Sequence, residues 1–441
     1  MRVLISGASI AGPTLAYWLD RYGFDVTVVE LAPALRSGGY AVDFRGGVQL
    51  AVLDRMGLLD QVRGHQTGGH PARFVDETDA TVLSLPREFT GGNLEIQRAD
   101  LSRLLYDHSR ERVEYRFGDS IAALNQTPAG VEVTFDQSPS DRFDLVIGAD
   151  GLHSRVRRLA FGPEDEYVRH LGYYIAGWDL PNIWQLDGEQ RFHNRPGTLA
   201  GVSEQMHRPD RANTTFIFAS PADPELRGNR DRQGDLLRRV YAGQGWYVPQ
   251  LVAAFLSATD VYFDSVSRVE VPRWSTGRIA LLGDAASGAT LSGTGTGTAI
   301  IGAYALAGEL ATASRHHAEA FQRYEQLIRP YAIRDKNGGR TVARVFAPGS
   351  RTALWLRNRI LGSSVGSGLI LRAAAKQADS LVLPEYSRPV LPALLSTNGL
   401  DMGRALRARS GHPGWITTRA ALVPRLRGGG MQSLHNKTDW S

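Results

Sequence analysis

Cysteine is absent from the 441 residues. That excludes disulfides, thiolate metal sites and cysteine nucleophiles together, and it fits a reducing compartment, so the cytoplasm is the expected location. No apolar run approaches the roughly 18 residues that a membrane span needs. The first residues form an apolar strand without the charged start and small-residue cleavage site of a signal peptide. The net charge is +5, but many basic residues gather near the C-terminus, around Arg404, Arg407, Arg409, Arg419, Arg425 and Arg427. Without a recognition motif or interleaved aromatics, no nucleic-acid partner is expected. A P-loop is also missing, since no Gly-Lys-Ser/Thr follows the glycine-rich stretches.

What is there is glycine. The chain carries 48 glycines, with 42% hydrophobic and 22% charged residues, a soluble globular balance. Its length exceeds one ordinary core and suggests two or three interleaved units with room for a large buried cofactor.

Arg2-Val3-Leu4-Ile5-Ser6 reads as a buried strand running into Gly7-Ala8-Ser9-Ile10-Ala11-Gly12. A helix follows, with Leu15, Trp18, Leu19 and Tyr22 at helical spacing, Pro13 in its first turn and Gly23 at its end. A second strand, Asp25-Val26-Thr27-Val28-Val29, ends at Glu30, completing a βαβ unit. Gly7 permits a tight turn, a small residue at position 9 lets the backbone approach a pyrophosphate, and Gly12 permits close helix packing. Glu30 stands where a carboxylate accepts the hydroxyls of an adenosine ribose, and Leu31 adjoins it. Ser9 departs from the generic glycine. It is no hydrolase nucleophile, because Gly-x-Ser-x-Gly would need glycine where Ala11 stands.

Helical patterns at 47–56 and 99–109 precede strands at 131–135 and 144–147 that are expected to complete the nucleotide-binding sheet. Between about 165 and 275 short strands such as 173–178 and 214–219 dominate. The strand 278–282 then meets Gly283-Asp284-Ala285-Ala286 and a glycine-rich helix start, so the chain returns to its first unit. Helices are expected at 320–331, 341–346 and 351–360. The resulting division is 1–165 for the first part of a dinucleotide-binding domain, 166–275 for a β-rich domain, 276–345 for the return, 346–386 for C-terminal helices and 387–441 for a disordered basic tail.

Three motifs in this order, the glycine turn, Asp150-Gly151-Leu152-His153-Ser154-Arg155-Val156-Arg157 and Gly283-Asp284-Ala285-Ala286, resemble those of the class A flavoprotein monooxygenases, the para-hydroxybenzoate hydroxylase-like family. The resemblance covers roughly residues 1–385. It implies an α/β fold in which a Rossmann-like FAD-binding domain is interleaved with a β-sheet substrate domain and followed by C-terminal helices. By matching, Asp284 would contact ribityl or pyrophosphate groups, and Gly293-Thr294-Gly295-Thr296 would lie under the isoalloxazine ring. The stretch Arg36-Ser37-Gly38-Gly39-Tyr40-Ala41-Val42-Asp43 looks closest to the tetracycline-destructase-like and actinobacterial tailoring branch. There the arginine goes with NADPH and the aspartate with FAD, pointing to Arg36 and Asp43, while Arg98 matches an FAD-contacting arginine. Trp246 and Trp274, in stretches that also resemble this branch, read as core aromatics. Asp150 is either a cofactor-side group or the N-cap of the helix beginning near Ser154.

The implied reaction is reduction of FAD by NADPH or NADH, oxygen capture as a flavin C4a-hydroperoxide and oxygen transfer to an aromatic or polyketide-like small molecule. No catalytic residue is assigned; His193 or Tyr173 could serve as a base. The loop Ser287-Gly288-Ala289-Thr290-Leu291-Ser292 lacks the family's His or Tyr and prolines. This keeps open an FAD-bound cyclase without redox chemistry, or an FAD-dependent reductase or dehydrogenase. A further alternative lays residues 351–360 on lipid, with Trp355, Leu356 and Ile360 on an apolar side and three arginines for headgroups.

Overall fold

The computed structural model describes residues 1–36, 40–44, 46–87, 94–205, 208–313, 316–334, 337–363 and 381–386. Met1–Pro389 form one compact unit; the other, Val390–Ser441, lies outside the described residues, as does the expected disordered tail.

The fold is mixed α/β. A six-stranded sheet runs in the order Ser275–Thr276, Ile279–Leu281, Leu145–Gly148, Arg2–Ser6, Asp25–Glu30, Glu114–Phe117, and its inner strands pair in parallel. Parallel strands covered on both faces are continuously apolar, as Val3, Leu4, Ile5, Val146 and Ile147 show with no exposure. The helix Ala11–Arg21 leads from the first strand to the second and is closed by Gly23, whose φ of 82° suits a glycine. A long helix, Gly295–Thr312, is buried from Gly297 to Leu310. It packs against the first helix, with Trp18 edge-on to Tyr304 at 4.9 Å.

The seven-stranded sheet has the order Val261–Val269, Val168–Pro181, Arg208–Ala219, Thr198–Gln205, Gln190–Arg195, Ala72–Val75, Thr81–Leu85. Its last two strands belong, by sequence, to the stretch expected to build the cofactor domain. Ala72–Val75 instead pairs in parallel with Gln190–Arg195, so the chain crosses into the second sheet and returns before residue 94. The strand expected at 131–135 also lies elsewhere: Gly130–Phe135 is the centre of a three-stranded antiparallel sheet. Leu145–Gly148 joins the nucleotide sheet as expected.

One face of the seven-stranded sheet packs Trp178, Phe216 and Phe218 against the helices Arg230–Val240 and Val248–Ala254. The other packs Phe74, Phe192, Ile217 and Val266 against Ala343, Ala347 and Leu361, with Tyr40, Tyr262 and Leu291 at its border. The helix Arg351–Leu361 does not offer three free arginines. Arg357 is buried, lies 4.3 Å over the ring of Phe74 and donates to Asn194 Oδ1 at 2.8 Å. Trp355, Leu356 and Ile360 are exposed, and no described helix is long and apolar enough to cross a membrane.

Candidate cofactor site

The glycine turn is built on close approaches. Gly7 has φ of 108°, and a side chain there would set its Cβ 2.5 Å from the Ala149 carbonyl oxygen; on Gly12 it would stand 1.9 Å from the carbonyl oxygen of Gly7. Neither position tolerates a Cβ, which real contacts of that kind never allow. Glu30 is oriented toward this turn: its carboxylate accepts the N–H of Ala8 at 2.8 Å and of Ala32 at 2.9 Å. Ser9 is held from the other side, its carbonyl accepting from the Ser102 hydroxyl at 2.8 Å and its hydroxyl from Arg98 at 3.3 Å. Ile10 and Ala11 are buried at the start of the first helix, which has no side-chain cap. Its first N–H groups therefore remain available to an anion.

The return segment closes on the same place. Gly283, at φ of 62°, sits where a Cβ would lie 3.3 Å from Ala11 and 3.4 Å from Ala299, so it is wedged between the starts of two helices. Asp284 follows, and its carboxylate makes no hydrogen bond to any described residue. Burial pushes its carboxyl up, the guanidinium of Arg98 pulls it back in part, and Asp264 pushes it further. A hollow is lined by Gly283, Asp284, Ser287, Ser292, Thr294 and Thr298. Gly293 has φ of 73°, and Thr294 precedes the helix starting with Gly295 and Thr296, again without a side-chain cap. The preceding loop is pinned by Val269 N–H to Gly288 O at 2.7 Å and Thr290 N–H to Ser267 O at 2.9 Å. Leu291 there holds φ of 64°, a left-handed conformation costing about 1 kcal/mol or more in a branched residue.

The other expected residues differ in their engagement. Arg36 and Arg98 are exposed and lie near Tyr262 together with Asp284, whereas Ser37, Gly38 and Gly39 fall outside the described residues. Asp43 pairs in register with Glu95 across the small sheet of Ala41–Phe44 and Leu94–Gln97. Leu31 is 70% exposed at the rim. Asp150 is occupied within the fold: it accepts from Ser154 Oγ, from the N–H of Arg155 at 2.8 Å and from that of Val156 at 3.0 Å. It thus helps Ser154 cap the helix Arg155–Ala160, the local role weighed for it from sequence.

His193 is not placed for base chemistry at this cleft, because it lies on the opposite face of the sheet from Phe192 and stacks on Trp246 at 5.9 Å. Tyr173 lies at the border of the other face. Two residues unassigned by sequence do reach the cleft. Tyr262, with a hydroxyl bonded to no described residue, faces Asp284, Arg98 and Arg36, and burial pushes its phenol far up. Asp264, two residues later, points to the same side of the strand.

A glycine cradle, a strand-end glutamate and, at a second helix start, a carboxylate without a hydrogen-bond partner among the described residues form a site suited to a dinucleotide. The chain matches the model of the FAD binding domain family over residues 1–334 and belongs to that family, among the class A flavoprotein monooxygenases. A Mycobacterium tuberculosis protein called uncharacterized is 44% identical over 346 residues, covering 76% of this chain and 91% of its own. A flavin-dependent monooxygenase of an unknown prokaryotic organism is 36% identical, covering 87% of this chain and 99% of its own. Among solved structures, the tetracycline destructase Tet(51) superposes with a TM-score of 0.76 at 31% identity, over 87% of this chain and 99% of its own.

Proposed function

We propose that this flavin-dependent monooxygenase takes electrons from NADPH or NADH and uses dioxygen to hydroxylate or oxygenate an aromatic or polyketide-like small molecule. The observation that carries the reading is Asp284, a half-buried carboxylate without a described hydrogen-bond partner beside two uncapped helix starts that meet at Gly283. FAD fits these residues. Gly7, Ser9 and Gly12 would give its pyrophosphate backbone access, with Ile10 and Ala11 opening the helix toward it, and Glu30 would accept ribose hydroxyls with Leu31 at the rim. Asp284 would accept ribityl hydroxyls, and the N–H groups around Gly293, Thr294, Gly295 and Thr296 would stabilise negative charge at the pyrimidine end of the ring.

When bound, FAD supplies the electron storage and oxygen activation that no side chain here can provide. Arg98 and Arg36 bring positive charge to the mouth of the cleft, suited to cofactor phosphates and to NADPH, and Asp43, on the small sheet opposite Glu95, would go with FAD. Asp150 acts through the turn it holds rather than by direct contact. The substrate lies against the seven-stranded sheet at the border formed by Tyr40, Tyr262 and Leu291, where apolar side chains exclude water.

The test is the absorption spectrum of the purified protein, which should show oxidised-flavin bands that NADPH or NADH bleaches. With a turned-over substrate, labelled dioxygen should enter the product. Tetracycline is the first candidate, given the similarity to Tet(51). Product without label, or turnover without reductant, would replace this reading by dehydrogenation or by non-redox cyclisation.

A further inference from the structure

His153 stands where the Asp-Gly turn meets the seven-stranded sheet. Its Nδ1 is 2.8 Å from Glu164 Oε1, and its Nε2 is 3.1 Å from Asp264 Oδ1. A neutral imidazole has one N–H, so one of the two carboxylates would face a lone pair; only the imidazolium satisfies both. Burial opposes that charge, but the hydrogen bonds to Asp264 and Glu164 outweigh it and push the ring's pKa up to about 9. Two further cations face the cluster from behind Glu164. Arg227 lies 3.3 Å and Arg157 4.0 Å from its Oε2.

The ring therefore joins three segments. Glu164 belongs to the short turn Glu164–Glu166, His153 to the turn set by Asp150, and Asp264 to the edge strand Val261–Val269. Arg157 extends the tie by donating to Leu152 O at 2.7 Å and to Ala285 O at 3.0 Å, next to Asp284. Asp264 is also one of the charges that push the Asp284 carboxyl up. An uncompensated Asp264 would oppose both the ionisation of Asp284 and the approach of an anionic cofactor.

We propose that His153 is a positioning residue: its charged ring holds the strand bearing Tyr262 against the cofactor-binding half and offsets Asp264, keeping Asp284 fit to receive FAD. The inference rests on the assignment of Asp284 to FAD made above. An anion bound nearby raises the ring's pKa further. Affinity is therefore steady while the free protein's ring is charged and falls as pH rises through about 9.

The experiment measures the FAD dissociation constant by fluorescence between pH 6 and 10 for the natural protein, His153→Gln, Asp264→Asn and the double variant. Binding by the natural protein should weaken about tenfold across the upper end of that range, the equivalent of one pKa unit of coupling. His153→Gln should be weaker by about the same factor at pH 7, and flat at high pH. Combining it with Asp264→Asn should restore affinity to within about twofold, because the offending charge leaves with its partner. A merely structural histidine would give no such recovery. If His153→Gln fails to fold, Asp264→Asn decides alone, since its high-pH slope should vanish. Equal pH profiles for the natural protein and either single variant overturn the inference, as does a double variant no better than His153→Gln. Failure of the natural protein to bind FAD at any pH overturns the functional reading instead; NMR titration of the ring still shows whether His153 is charged at pH 8.

Discussion

Gly12 passes so close to Gly7 that a methyl group on it would stand 1.9 Å from the Gly7 carbonyl oxygen. The first helix is thereby pressed onto the turn that leaves the first strand, and its N–H groups are aimed where the turn leaves space. Gly12→Ala must displace backbone on both sides, and the expected loss of stability is about 3 kcal/mol, at the upper end for overpacking. Gly23→Ala is the control: nothing lies within 4 Å of its added carbon, so its cost is only the left-handed φ, about 1 kcal/mol. Thermal unfolding and flavin content should separate the two, with bound flavin lost only in Gly12→Ala.

Glu30 spends one carboxylate oxygen on Ala8 and the other on Ala32. Each oxygen keeps a second lone pair for a ribose hydroxyl. Glu30→Gln retains the shape but turns one acceptor into a donor facing the Ala8 or Ala32 N–H, leaving that group unpaired. FAD affinity is expected to fall about tenfold or more, the worth of a hydrogen bond to a charged group. An unchanged titration of flavin fluorescence would remove Glu30 from the site.

Arg2 and Asp141 form a two-pronged pair, at 2.9 and 2.7 Å, between the first strand and the three-stranded sheet. The hydrogen bonds from Arg2 outweigh burial and hold the Asp141 carboxyl down at about 2. A depressed carboxyl contributes stability that is present above its unfolded value and lost as pH falls through the folded one. The window here runs from about 4 down to about 2. Asp141→Asn should flatten urea-unfolding stability across that window. At pH 7 it should cost under about 1 kcal/mol, because Arg2 is 43% exposed.

Arg357 is a buried cation that no described carboxylate pairs with; it is satisfied by Asn194, Asn358 and the Val345 carbonyl, and by the face of Phe74. Arg357→Ala leaves Asn194 Oδ1 and Val345 O without their donor and removes the stack. Unfolding should be easier by about 3 kcal/mol. Arg357→Met, which fills the volume without a charge to desolvate, should lose less. If both variants melt like the natural protein, this helix is not fastened through Arg357.

How much of this was legible in the sequence follows from the distance over which each feature is determined. The close approaches at Gly7 and Gly12 were readable because a strand, a tight turn and a helix within a few residues demand them; Asp284 was singled out by its motif alone. The strands Ala72–Val75 and Thr81–Leu85 were not readable, since their sheet is completed by Gln190–Arg195, more than a hundred residues later, and periodicity does not encode a partner. His153 lay in plain view after Asp150, but its two carboxylates come from 11 and 111 positions away. For the helix Arg351–Leu361 the sequence shows the apolar side of Trp355, Leu356 and Ile360, which is exposed, but not that Phe74 and Asn194 engage Arg357 and so leave fewer than three arginines free.

The segment 381–386 ties the chain back to the FAD-binding core. Tyr386 donates to Glu309 Oε1 at 2.7 Å, lies 5.2 Å from the ring of Tyr304, and fills the space that a side chain on Gly308 would need. Tyr304 in turn donates to the Pro384 carbonyl at 3.0 Å. These contacts brace the long helix whose first turn borders Asp284. A protein ending after Tyr386 should keep its flavin and its melting temperature, whereas one ending before Leu381 should melt earlier, exposing Tyr304 and leaving Glu309 without its partner. The half-buried phenol of Tyr386 alone corresponds to about 1 kcal/mol, or a few degrees at this chain length. Loss of flavin on removing only the residues after Tyr386 would show that the basic tail, and not this segment, supports the cofactor site.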